Sequence, residues 1–192
     1  LPLMAIRQII EAPDARLKQI SAPVTVFDDE LKTLVADMFE TMYDAPGIGL
    51  AAIQVGIPLR VVVIDLQPED PDAEPEACHS HGGHAHTHQP LKKEPRVFIN
   101  PEVLDPSEEM TVYQEGCLSV PDIYADVVRP SRVRLRWQDV DGKVHEEAMD
   151  DLMATCIQHE IDHLEGILFI DHLSRLKRGM ALKKLEKARK LA

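Results

Sequence analysis

The chain is poor in cysteine. Its three cysteines, Cys78, Cys117 and Cys156, have no paired spacing. So small and odd a number argues against a disulfide framework and for a reducing compartment. No apolar run approaches the ~20 residues that a membrane-spanning helix needs. The first ten residues hold Arg7 and Gln8 and no apolar stretch followed by a small-residue cleavage site. No secretory leader is read there, and cytoplasm is the expected compartment. The chain does not begin with Met. Met4 is read as the start, with Leu1-Pro2-Leu3 as additional residues. No segment repeats internally.

What is present is ordinary for a globular protein. The 192 residues suggest one domain, with 44% hydrophobic and 28% charged residues. A chain of this size buries roughly 70% of its unfolded surface and needs no staples. The net charge of −12 is unevenly spread. Residues 174–192 hold eight Lys/Arg and one Glu, a net of +7, so the first 173 carry −19. An acidic body with a basic tail results.

Asp28-Asp29-Glu30 opens a helix whose apolar face is Leu31, Leu34, Val35, Met38, Phe39 and Met42. Pro46 and Gly47 stop it. Residues 59–66, dominated by Val61, Val62, Val63 and Ile64, read as a buried strand. Residues 67–95 are rich in acids and prolines around a His cluster and read as an exposed loop joining two antiparallel strands. Strand character resumes at Val97-Phe98-Ile99-Asn100. Short strands follow near 110–113, 124–128, 132–138 and 143–149, with an Asp141-Gly142 hairpin turn. A helix with an acidic cap at Asp150 runs to Gly166, and Ser174 caps a final helix. The expected fold is α+β, with mostly antiparallel sheets packed around a central helix and a C-terminal helix. Residues 1–173 are expected to form a single domain, with 67–95 as an exposed insertion and 174–192 as a basic C-terminal helix.

His159-Glu160-Ile161-Asp162-His163 lies on the central helix. Positions i and i+4 share a helix face, so both imidazoles can reach one metal ion. Glu160 is rotated roughly 100° from His159 and sits beside that ion as a carboxylate. H-E-x-x-H is a metallohydrolase signature. The third ligand separates the classes. In metzincins it is a His, but that position is Phe169 here. Glu186 is crowded by Lys183, Lys184 and Lys187, and His172 follows a Phe-Ile-Asp turn. Cys117, in Glu115-Gly116-Cys117-Leu118-Ser119, is the best candidate, because a thiolate binds divalent metals strongly and Gly116 permits close approach. Its other reading is a buried small hydrophobe. Cys156 reads as core and Cys78 as a loop residue.

Gly47-Ile48-Gly49-Leu50-Ala51-Ala52-Ile53-Gln54, Glu115-Gly116-Cys117-Leu118-Ser119 and Gln158-His159-Glu160-Ile161-Asp162-His163 together, in this order, resemble the three motifs of the peptide deformylases. The form of the second motif and the helical tail are similar to the bacterial, type 1 group. The resemblance runs from about Met4 to the C-terminus. It implies a metallohydrolase that removes the N-formyl group from the formyl-methionine of newly made polypeptides and releases formate. It implies that Cys117, His159 and His163 hold one metal ion, naturally Fe(II), with Zn, Ni or Co able to occupy the site. Glu160 takes a proton from water and passes it to the leaving amine. The Gln54 side chain and the Leu118 N–H stabilise the oxyanion. Substrate backbone is expected to pair with the Ile48–Gly49 edge. Leu152 and Cys156 wall the methionine pocket, and Glu115 and Gly116 complete the substrate-facing set. A Glu115–Arg129 ion pair is expected to support the site.

Two features depart from the family pattern. Five His stand between 79 and 88, beside Cys78. They read either as an accessory Ni, Zn or Cu site or as a polar insert with no task, and the second is favoured. The basic tail suits docking on ribosomal RNA, or mere solvation. No DNA or membrane partner is expected. Two competing functions remain. A zinc peptidase cutting internal bonds is one. A metal-buffering protein is the other, and it leaves Glu160, Gln54 and the glycines unexplained.

Overall fold

A computed structural model of the chain describes residues 5–79 and 85–192. The expected start at Met4 and the loop residues Ser80, His81, Gly82, Gly83 and His84 lie outside the described residues. The first helix, α1 (Asp29–Asp44), begins where the Asp28 carboxylate accepts the Leu31 N–H at 3.0 Å. It ends before Pro46, and the Gly47 N–H closes it on the Met42 carbonyl at 2.8 Å. Among the described residues nine strands follow: β1 (Gly49–Ala51), β2 (Val61–Ile64), β3 (Glu76–His79), β4 (Ala85–His88), β5 (Arg96–Pro106), β6 (Met110–Cys117), β7 (Val120–Pro130), β8 (Val133–Gln138) and β9 (Val144–Met149). Then come α2 (Asp151–Leu164) and α3 (Arg175–Leu191).

The strands form three antiparallel sheets. The largest has the order β1-β2-β5-β8-β9, and β3-β4 and β6-β7 are two-stranded. Strand β2 explains the layering. Its four residues are all buried, because both faces of the sheet are covered. Val61 and Val63 face α1 with Leu34, Met38 and Met42, whereas Val62 and Ile64 face α2 with Ile157 and Leu164. A strand alternates sides every residue, so a fully apolar run fits only a doubly covered position. A third cluster joins the β6-β7 hairpin to α3 through Val120, Val127, Phe169, Ala181 and Leu185. The α+β architecture of antiparallel sheets around a central helix is as the pattern suggests. Helix α2 packs on β1, β2 and β5 and also on β7. That places its polar face at the junction of two sheets.

Three local expectations change. Strands β6 and β7 are long and continuous up to a tight tip at Leu118 and Ser119. A register shift between Glu115 and Cys117 absorbs Gly116 as a bulge, which is why the segment reads as a break in sequence. The 67–95 insertion is not loop throughout, because β3 and β4 pair within it. Pro75 and Pro90 stand outside the paired stretch, so no proline interrupts the ladder. Asp150 occupies the α2 cap position, yet its side chain accepts no cap hydrogen bond. The end of α2 is as expected. The Gly166 N–H bonds to the His163 carbonyl and the Ile167 N–H to the Asp162 carbonyl, with Gly166 at φ +73°. This is a Schellman stop, and only glycine fits it here because the Lys18 carbonyl crowds the missing Cβ.

Candidate metal centre

His159 and His163 are both buried, and their rings meet edge to face with centroids 5.0 Å apart. Cys117, at the end of β6, brings its Sγ to 3.3 Å from His163 Nε2. One ligand atom from each of the three lies within 4.8 Å of the others. Among the described residues no other such group occurs. Phe169, in the place of the metzincin histidine, stacks on the His159 ring instead. His172 bonds to Asp162 and Glu186 is exposed on α3, so neither joins the cluster.

Each imidazole needs a defined tautomer to act as a ligand. Glu115 Oε1 lies 2.8 Å from His159 Nδ1. A carboxylate only accepts, so Nδ1 carries the proton and Nε2 keeps its lone pair for a metal. Glu115 is itself clamped by Arg129, through Nε to Oε2 at 2.7 Å and Nη2 to Oε1 at 2.9 Å. Burial works against the Glu115 charge, but the hydrogen bonds from His159 and Arg129 outweigh it and hold the carboxyl at about 2. Arg129 Nη1 reaches Asp162 Oδ2 at 2.8 Å, and the same oxygen meets His172 Nε2 at 2.8 Å. The donors fit a divalent cation on chemistry as well as on spacing. Burial opposes charge on His159, yet the hydrogen bonds to Cys117 and Glu115 raise its pKa well above the usual value. Burial, with His159 and Arg129 nearby, moves His163 the other way, well below the usual value.

Glu160 is 4% exposed, and its Oε2 has no hydrogen-bond partner. Burial pushes its carboxyl up to about 7. A buried, unpaired carboxylate costs stability and usually marks function. Gly49 passes directly over it. A Cβ there would stand 2.6 Å from Glu160 Oε1. Gln54 sits in the turn after β1. Its Oε1 accepts the Ala51 N–H at 2.9 Å, which fixes the amide orientation. Its Nε2 then donates to Ser119 Oγ at 3.0 Å and to Cys117 Sγ at 3.5 Å. Leu118, at the hairpin tip, packs over Gly47, where a Cβ would lie 2.7 Å from Leu118 Cδ1.

A cleft of about 770 Å³ opens onto this centre. Ile48, Gly49, Glu115, Gly116, Cys117, Leu118, Leu152, Cys156, His159 and Glu160 line it, while Gln54 and His163 sit behind the wall. Burial pushes the Cys156 thiol up to about 12, so it acts as an apolar wall and not as a nucleophile. A second cleft of about 660 Å³ lies between α1 and residues 23–26, and no residue of the metal centre lines it.

Several site residues have no role in a reading of the sequence alone. Ser119 orients Gln54, and Asp162 extends the Glu115–Arg129 pair. Both sit inside the quoted motifs, which was the available signal. Tyr124 lines the cleft and covers Gly116, where a Cβ would be 2.6 Å from its ring. No local pattern marks it.

The polypeptide deformylase family model matches residues 6–179. A peptide deformylase of Novosphingobium aromaticivorans is 80% identical over 189 residues, covering 98% of this chain and 100% of that one. The peptide deformylase structure from Legionella pneumophila matches with a TM-score of 0.80 at 45% identity, over 97% of both chains. That from Ehrlichia chaffeensis in complex with actinonin matches with a TM-score of 0.81 at 36% identity, over 96% of this chain and 98% of that one. Agreement in sequence over nearly the whole chain and in fold leaves one assignment, and the chain belongs to the polypeptide deformylase family.

Proposed function

We propose a division of labour for the residues of this centre. The reaction is that of the family: hydrolysis of the N-formyl group of formyl-methionine on nascent polypeptides, with release of formate. Cys117, His159 and His163 hold one divalent ion. When bound, such an ion supplies Lewis acidity, which makes a water acidic near neutral pH and draws charge from a carbonyl oxygen. Glu160 takes a proton from the attacking water and returns it to the amine nitrogen as the formyl C–N bond breaks. Its raised pKa suits a group that must both accept and release a proton near neutrality. Gln54 Nε2 and the Leu118 N–H donate to the formyl oxygen as charge develops on it. Each such donor is worth about 3 kcal/mol in comparable sites. The substrate backbone adds to the Ile48–Gly49 edge, supported by the position of β1 at the end of its sheet. Glu115 and Gly116 form the facing side, and Leu152 and Cys156 wall the methionine pocket.

The native ion is Fe(II), with Zn, Ni and Co as alternative occupants; a thiolate with two imidazoles suits all of them. The observation that carries the reading is the buried, unpaired Glu160 carboxylate beside the Cys/His/His trio. The test is formate release from a formyl-Met peptide after anaerobic Fe(II) loading. Glu160→Ala should keep one ion at Cys117, His159 and His163 and lose at least ~100-fold in turnover. Unchanged turnover would remove Glu160 from the proton path.

The enzyme works in the cytoplasm, where its formylated substrates are made, and α3 docks it on ribosomal RNA. Helix α3 buries only Ala181 and Leu185, which leaves its basic residues to solvent. Co-sedimentation with ribosomes should weaken steeply with salt and disappear on deletion of 175–192. Binding that survives the deletion refutes the docking role.

A further inference from the structure

The 67–95 insertion leaves the main sheet just after β2 and returns to it at β5. Backbone bonds close its neck. The Lys92 N–H donates to the Pro68 carbonyl at 2.7 Å, and the Asp70 N–H to the Pro90 carbonyl at 2.7 Å. Asp65 lies just inside this neck and is completely buried. A buried carboxylate is costly unless donors surround it, so its partners are informative. Oδ1 accepts the Gln67 N–H and the Glu94 N–H, each at 3.0 Å. Oδ2 accepts the Tyr43 hydroxyl at 2.5 Å. One side chain thus ties both ends of the insertion to the last turn of α1. Gln67 stands at φ +48°, which a non-glycine residue keeps only where its surroundings fix it, and the bond to Oδ1 helps to do so.

The same residue reaches the free edge of the large sheet. The Asp65 N–H donates to the Ile48 carbonyl at 2.8 Å. That bond continues the β1–β2 ladder by one pair beyond Gly49 and Ile64. Two residues on, the Gln67 side chain donates to the Gly47 carbonyl at 3.3 Å. Successive residues of an antiparallel strand turn their N–H and C=O groups to opposite sides. With Ile48 turned toward Asp65, Gly49 presents its own N–H and C=O on the unpaired side of β1.

We propose that Asp65 is a positioning residue for the substrate: through Tyr43, Gln67 and Glu94 it holds Ile48 and Gly49 in the register that pairs with peptide backbone beyond the formyl-methionine. The proposal rests on the reading of the Ile48–Gly49 edge as the substrate strand. None of Cys117, His159, Glu160 and His163 is among the Asp65 partners, so Asp65 acts on binding and not on bond cleavage. An interaction made equally in the ground and transition states changes KM and leaves kcat. Only a substrate long enough to pair with the edge should sense it.

KM and kcat are measured on the Fe(II)-loaded full-length enzyme with formyl-Met-Ala-Ser and with formyl-methionine, which offers no further backbone. The parent should strongly prefer the tripeptide. Asp65→Ala should raise the tripeptide KM about 10-fold, keep kcat per bound ion within about three-fold, and affect formyl-methionine far less. Asp65→Asn keeps Oδ1 for the two N–H groups and offers an amide donor to Tyr43 Oη, so it should recover most of the tripeptide preference. A merely structural role would lower thermal stability and the fraction of active enzyme without moving KM. Tyr43→Phe removes the Oδ2 donor and no backbone contact; it should raise the tripeptide KM in the same direction, and it decides alone if Asp65→Ala does not fold. An unchanged tripeptide KM in these variants overturns the proposal, as does an equal loss on both substrates or an Asp65→Asn variant as impaired as Asp65→Ala. A parent that gains nothing from the added residues overturns the edge pairing itself, and this proposal with it.

Discussion

Gly49 offers the sharpest test of the active-site geometry. Its missing Cβ would stand 2.6 Å from Glu160 Oε1, 3.2 Å from Cδ and 3.4 Å from Cγ. Strand β1 is pinned to β2 over three register pairs and packs on α2, so it has little room to retreat. In Gly49→Ala the carboxylate must therefore yield. Ordinary contact begins near 3.4 Å, which asks for a displacement of about 0.8 Å. Misplacing a reacting group by about 1 Å costs on the order of 100-fold in rate, or about 2.7 kcal/mol in barrier. The overpacking itself should cost about 1–3 kcal/mol of stability. The variant touches no metal ligand, so it should bind one catalytic ion as the parent does. The assay is kcat for formate release from a formyl-Met peptide, with metal content and thermal unfolding measured on the same sample. Gly179→Ala is the control. A Cβ there meets nothing within 4 Å, so it should gain about 0.5–1 kcal/mol as a helix glycine replaced by alanine, with kcat unchanged. A folded, metal-loaded Gly49→Ala whose kcat stays within about three-fold of the parent would falsify the placement of Glu160 beneath β1.

Other expectations follow from the same network. Burial raises the Glu160 carboxyl to about 7, so the folded state favours its neutral form. That contribution is fully present below about 4.5 and is lost as pH rises through about 7. Chelator-stripped Glu160→Gln should therefore exceed the stripped parent in urea stability at pH 8 by about 3 kcal/mol, relative to their difference at pH 4. An equal gap at both pH values would contradict a raised carboxyl. Arg129→Met strands a buried Glu115 carboxylate and should destabilise the fold by about 3–5 kcal/mol, with faster loss of the ion to a chelator. Normal metal retention in that variant would show that Glu115 holds His159 without help. Gln54→Ala should lower kcat by about 10²–10³, and Ser119→Ala, which only frees the amide, should lower it less. Equal losses in the two would mean that Ser119, and not Gln54, faces the formyl oxygen.

The parts legible in sequence are those whose signal is local. His159 and His163 are one helical turn apart, so their convergence is a property of α2 alone. The run Val61 to Ile64 announces a strand covered on both faces, and the face from Leu31 to Met42 announces α1. The pairing of elements is a different kind of information. Cys117 and His163 are 46 residues apart in the chain, and Glu115 and His159 are 44 apart. No periodicity encodes which helix a hairpin tip will meet. The resemblance of three separated motifs to one family supplied that link. The close approaches were also silent. Gly47, Gly49 and Gly116 look alike in sequence, yet the first admits Leu118, the second Glu160 and the third Tyr124. Register likewise cannot be read from composition. Residues 67–95 show acids, prolines and histidines, and only the pairing of Glu76 with His88 shows which of them share a face.

The polar chain behind the metal centre explains why so much of the fold must be in place for one ion to bind. From the surface inward it runs His172, Asp162, Arg129, Glu115, His159. These residues come from the turn before α3, from α2, from β7, from β6 and again from α2. Arg129 and Glu115 are buried charges, and such a pair contributes little net stability against an apolar pair of the same size. Its value lies in geometry. A bidentate guanidinium–carboxylate contact tolerates little rotation, and it sets the oxygen that accepts from His159 Nδ1. A slip of one residue between β6 and β7 would turn Glu115 to the opposite face and leave Arg129 without its partner. The hairpin register and the ligand tautomer are therefore a single constraint. The same hairpin carries Cys117 at the end of β6 and Leu118 at its tip. One correct register thus positions Cys117, the support of His159 and the Leu118 N–H proposed as donor to the formyl oxygen together.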